Sequence, residues 1–289
     1  MTDHDATGQE IERGYDVLRA AVSCAEAEFG DELTAAYAFG SLTHGGYDPL
    51  VSDIDILFVL RNDLDEGTRL ALDRIEAAVA ARFPDLGSRL AVFWTSETLL
   101  PRRAVSGAYP PPDPSLGFLP PLDRLDLLQN GELLCGRDIR DLVPHPDRDE
   151  LVIAGAEFAL SYLRGPELVR SLEHPDELAR RDVITVTKTI LFPVRFLYTL
   201  RSGRIGANYE AARHYCAVTE DPRRGSLVAD AISWRRRGLP EVDRAVAALH
   251  PALREIYVEM LEAYADDVGR QGATGIEAML RDWTDELAP

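Results

Sequence analysis

The sequence predicts an α+β fold in two parts, a mixed α/β domain over residues 1–146 and a helical bundle over residues 147–289. Three observations lead there. A chain of 289 residues is long enough for two domains that each bury a core. Up to Gly136, apolar strand-like stretches alternate with stretches of helical spacing, the pattern of an α/β unit. From about Asp147 every segment has helical period and no strand candidate of comparable strength occurs, which describes a bundle.

The elements follow in order. Over residues 9–29, Ile11, Tyr15, Leu18, Ala21, Val22 and Ala25 recur at amphipathic spacing, and Gly30 supplies the stop. Thr34 to Phe39 reads as a strand that feeds a Gly40-Ser41 turn, and Asp53 to Leu60 as the next strand. Residues 64–82 return to helical spacing, and Arg89 to Thr95 forms a third strand. The proline-dense stretch from Pro101 to Pro121 is a loop or lid. Leu122 to Asn130 is a short helix, and Gly131 to Gly136 a short strand or turn that closes the first part. The bundle helices are expected at 149–164, 176–202, 208–218, 223–236, 240–268 and 274–285. Their apolar stripes are packing surfaces.

Composition excludes several classes. A net charge of −18 and a pI near 4.7 argue against tracking nucleic acid, which needs a basic stripe to neutralise phosphates. With 46% hydrophobic residues, a mean hydropathy of −0.15 and no run of 18 apolar residues, a soluble globular chain without a membrane partner is expected. The opening Met1-Thr2-Asp3-His4-Asp5 is acidic and polar, unlike a signal peptide, so the expected location is cytoplasmic. Cys24, Cys135 and Cys216 are far apart and odd in number, so they encode neither a disulfide framework nor a zinc site and read as small core residues. Lys188 is the only lysine among 31 cationic residues.

The chemistry concentrates in Ser52-Asp53-Ile54-Asp55-Ile56-Leu57-Phe58-Val59. In a strand, Asp53 and Asp55 share one face while Ile54 and Ile56 share the other. Two neighbouring carboxylates repel unless a cation lies between them, and hard oxygen ligands suit Mg²⁺ carrying a phosphorylated substrate. Upstream, Gly40-Ser41 offers backbone donors at the start of a short helix, where phosphate binds well; taken alone, Ser41 would read as a helix cap. Together the two pieces read as a nucleoside triphosphate and metal site. Arg195 lies in an apolar stretch (Ile190, Leu191, Phe192, Phe196, Leu197), where a guanidinium calls for an anionic partner. Lys188, seven residues earlier, shares its helical face, although a solvated lysine would fit the same spacing.

Gly40-Ser41, an eleven-residue loop containing Gly45-Gly46, then Ser52-Asp53-Ile54-Asp55 and a later helical half resemble the polymerase-β-like nucleotidyltransferase superfamily. Within it the chain is most similar to the aminoglycoside adenylyltransferases that act on streptomycin and spectinomycin. The likeness continues at Leu133-Leu134-Cys135-Gly136, where the family closes its first domain, and at Arg195, which stands eight residues before Gly203 as in the family. The resemblance implies a Mg²⁺-dependent transfer of a nucleoside monophosphate, AMP from ATP as the first choice, to a hydroxyl of a small molecule such as an aminoglycoside. Asp53 and Asp55 would be the catalytic metal ligands. Gly40 and Ser41 would hold the β- and γ-phosphates, and Arg195, with Lys188, would bind the triphosphate from the helical domain.

Two positions depart from the family pattern. The family's third strand carries a carboxylate base where this sequence has Ala91, and its lysine five residues after the helix glycine is Asn208 here. Glu97, Asp123 or Asp126 could supply the base from elsewhere, and Lys188 the missing positive charge. The alternative reading is a catalytically impaired nucleotide-binding protein with a sensor or regulatory role. A minimal protein-modifying AMP transferase is a third, disfavoured by the length of the chain and its helical half.

Overall fold

The computed structural model describes residues 3–63, 65–102 and 117–287, which fall into two compact units, one up to His145 and one from Pro146 onward. Most of the proline-dense stretch lies outside the described residues.

The first unit is built on a four-stranded sheet of order β3-β2-β1-β4. Its strands are β1 (Leu33–Phe39), β2 (Ile54–Leu60), β3 (Leu90–Ser96) and β4 (Glu132–Gly136), and its helices α1 (Asp3–Phe29), α2 (Glu66–Arg82) and α3 (Pro121–Asn130). β1 pairs antiparallel with β2 and β4, whereas β3 runs parallel to β2. The β2–α2–β3 segment is thus the crossover that a parallel pair requires. Apart from Thr34 and Asp55, both central strands are apolar, because both their faces are covered. Ala36, Ala38, Ile54, Ile56 and Phe58 pack against Val17, Leu18 and Ala21 of α1 and Leu72, Ile75 and Val79 of α2. The other face presents Ala35, Tyr37, Phe39, Leu57 and Val59 to Leu100, Leu119, Leu127 of α3, Ile139 and Val143. Asp65 caps α2 by accepting from the Thr68 amide at 2.7 Å.

The second unit is helical: α4 (Arg148–Phe158), α5 (Pro166–Glu173), α6 (Pro175–Leu178), α7 (Val183–Ser202), α8 (Asn208–Val218), α9 (Pro222–Arg237), α10 (Val242–Arg270) and α11 (Thr274–Leu287). Asp147 and Glu150 form a reciprocal capping box at the start of α4. The long α10 touches α4, α7, α9 and α11, and its Ile256, Tyr257, Met260, Leu261 and Tyr264 are buried. Pro193 sits inside α7 and has no amide to give the Thr189 carbonyl one turn back. The Tyr257 hydroxyl fills that place, donating to Thr189 O at 2.9 Å.

Three expectations need correction. The helix expected at 149–164 ends at Phe158 and passes into a wider π turn over Ala159–Leu163. The helix expected at 176–202 is broken: α6 ends at Leu178, and α7 starts afresh with Asp182 accepting from the Thr185 amide at 2.9 Å. The cysteines are not all core residues, since Cys24 and Cys135 are only partly buried against the core and Cys216 is exposed. α7 has the length and mean hydropathy of a membrane span, yet 61% of its apolar window is buried within the protein, as befits the core helix of a bundle.

Candidate active site

The site grows from the end of β1. Gly40 leaves the strand with φ of +76°, and a Cβ there would stand 2.1 Å from Asp55 Oδ2, so conformation and space both demand glycine. The chain then makes a single 3₁₀ turn over Gly40–Leu42, where the sequence reading expected the start of a short helix. The Thr43 and His44 amides, each at 3.3 Å, and the Thr43 hydroxyl at 3.0 Å donate to Gly40 O. The Gly46 amide donates to Ser41 O at 3.0 Å, closing the Gly-Gly loop over the turn. Farther along, the Asp48 amide donates to Ser52 Oγ at 2.9 Å, and Arg89 grips the loop through the Pro49 and Leu50 carbonyls.

The loop delivers the two acids. Asp53 lies one residue before β2 and is exposed, and its carbonyl accepts a long bond of 3.4 Å from Ser41 Oγ. Asp55 lies within β2, half-buried, in register with Phe39 of β1 and Ala91 of β3. It stands on the same sheet face as Leu57 and Val59. Gly40, Ser41, Asp53 and Asp55 therefore gather at one end of the β1/β2 pair. Among the described residues, no three His, Cys, Asp or Glu side chains converge as a ready-made metal cage. A pair of carboxylates completed by substrate phosphates is the arrangement Mg²⁺ ordinarily takes.

The candidate bases separate clearly. Glu97 is excluded by topology: it follows β3, its amide donates to Leu60 O, and its carboxylate accepts from Thr34 Oγ1 at 2.6 Å. Leu60 and Thr34 lie at the sheet end remote from Asp55 and Gly40. Asp126 of α3 is instead at the turn. Its Oδ2 accepts from the Gly40 amide at 3.0 Å and its Oδ1 from Asn130 Nδ2 at 2.7 Å. Asp123, one turn earlier, is pushed up to about 7 by burial and, second, by the charge of Asp126. The helix sequence names both acids, but only the fold shows which reaches Gly40. The loop anchor Arg89 and the Asp126 partner Asn130 carry no sequence signal of their role.

Lys188 and Arg195 belong to the second unit, both half-buried on α7. Arg195 Nε donates to Gly206 O at 2.5 Å. A Cβ on Gly206 would lie 2.6 Å from Arg195 O, which explains the glycine there. Asn208, in the position of the family's lysine, is buried in the first turn of α8.

Residues 22–90, from α1 to the first residue of β3, match the family model of the nucleotidyltransferase domain. The match to that domain lies within the first unit. Its fold is similar to that of spectinomycin adenyltransferase AAD(9) from Enterococcus faecialis, whose crystal structure was obtained with ATP and spectinomycin. The two share 15% identity at a TM-score of 0.57, over 83% of this chain and 99% of that one. We found no significant sequence match among curated proteins.

Proposed function

We propose that the protein transfers a nucleoside monophosphate, AMP from ATP, to a hydroxyl of a small molecule of aminoglycoside type. The observation that carries this reading is the closure of Gly40 on Asp55, which sets a glycine turn and a carboxylate against each other with no side chain between. The donor set fits a hard divalent ion: two carboxylates two residues apart, one exposed and one half-buried. Asp53 and Asp55 would hold Mg²⁺, which when bound would offset charge on the phosphate oxygens. Ser41 and the turn amides would bind the β- and γ-phosphates. Arg195 and Lys188 are assigned to nucleotide binding as cations of α7, Arg195 with the planar fork that suits phosphate. The acidic balance of the chain favours a cationic acceptor, and the relative AAD(9) was crystallised with spectinomycin.

The test is pyrophosphate release from ATP and Mg²⁺ with a panel of hydroxyl compounds that includes spectinomycin and streptomycin. Release that depends on one acceptor supports the reading. Tight nucleotide binding without release from any acceptor supports the second reading, an impaired nucleotide-binding protein. Ala91, beside Asp55 in the sheet, is the observation that favours that second reading. An Arg195→Ala variant is expected to lose nucleotide affinity; affinity equal to the parent's removes Arg195 from the site.

A further inference from the structure

Transfer to a hydroxyl needs a group that takes the hydroxyl proton, and neither sheet neighbour of Asp55 is ionisable, since Phe39 and Ala91 flank it in register. Asp53 and Asp55 are committed to the cation in the reading above, and Glu97 lies at the far end of the sheet. We propose that Asp126 of α3 is the general base of this protein, a carboxylate delivered by a helix on the face of the sheet that carries Asp55. α3 covers that face through Leu127, which packs in one cluster with Leu57, Val59, Phe39 and Tyr37. Asp126 is 8% exposed, and its carboxylate is held on both oxygens, by the Gly40 amide at 3.0 Å and by Asn130 at 2.7 Å. Each oxygen keeps a further lone pair for a proton. Gly40 thus meets Asp126 through its amide and Asp55 across its open Cβ position, so both acids border one residue of the turn.

In the step, the acceptor oxygen forms its bond to the α-phosphorus, the bond from that phosphorus to the pyrophosphate oxygen breaks, and the hydroxyl proton passes to Asp126. This inference rests on the proposed transfer, and its test separates the two. Asp126→Asn keeps the shape and an oxygen able to accept from the Gly40 amide, whereas Asp126→Ala keeps neither. With ATP, Mg²⁺ and the acceptor from the panel, both variants are expected to lose at least about 100-fold in kcat. The Kd of Asp126→Asn for ATP with Mg²⁺, measured by calorimetry, is expected to match the parent's. A base role predicts that formate restores part of the rate to Asp126→Ala, which a turn anchor would not allow. The inference is overturned if Asp126→Asn keeps a rate within about threefold of the parent, or if both variants lose nucleotide binding, because Asp126 then only holds the turn. No pyrophosphate from the parent with any acceptor would instead overturn the transfer itself, and the base with it.

Discussion

Gly40 and Asp123 show how single residues set the character of the site. A β-carbon at position 40 would meet Asp55 Oδ2 at 2.1 Å on a backbone with φ of +76°, so Gly40→Ala strains the turn and displaces the acid together. The left-handed conformation alone costs an L-residue about 1–2 kcal/mol. We expect at least that loss of stability in chemical denaturation, together with loss of Mg²⁺-dependent nucleotide binding. Asp123 gives a pH signature. Burial and the Asp126 charge raise its carboxyl from 3.8 to about 7, so the native state keeps a proton that the unfolded chain has released. Stability from this group therefore falls as pH rises from about 4 to about 7, and levels off above. Asp123→Asn removes the titration: melting of the metal-free protein should differ little from the parent below pH 4 and be higher in the variant at pH 8. A difference that does not grow with pH would contradict this.

At the scale of elements, α7 is the instructive case. Pro193 deprives Thr189 O of its helical donor, and Tyr257 replaces it from α10. Tyr257→Phe should cost about 1–3 kcal/mol for an unsatisfied buried carbonyl. Pro193→Ala restores an amide at that place, so in the double variant the Tyr257→Phe loss should shrink, as a double-mutant cycle by denaturant titration would measure. Additive losses would show that the hydroxyl does not serve that carbonyl. Strong local signals made most elements legible: β1, β2, α2 and α8 to α11 follow from apolar runs and helical period. The α5 segment escaped because Gly165, Pro166 and Pro175 bracket only eight residues between turns. The break before α7 escaped because Asp182 caps a new helix inside an otherwise continuous helical period. The parallel pairing of β2 with β3 is likewise fixed by a crossover and not by any residue of either strand.

Across the whole molecule, the net charge of −18 sets which ligands a cleft can attract. We expect no complex with duplex DNA in a gel shift at physiological salt, and a retarded band would contradict the reading of composition. Near the candidate site, sequence made the turn at Gly40-Ser41 and the strand that carries Asp55 legible. The approach of α3 was not, because a helix that docks on a sheet leaves no mark on the strand it reaches. The proposed transfer depends on the two acids of the β2 entrance. Its most direct test is the binding of ATP to Asp53→Asn and Asp55→Asn, followed by calorimetry with Mg²⁺ and again with a chelator. We predict that the parent binds ATP tightly only with Mg²⁺ and that both variants lose that dependence, whereas parent-like, Mg²⁺-dependent affinity in the two variants would contradict it.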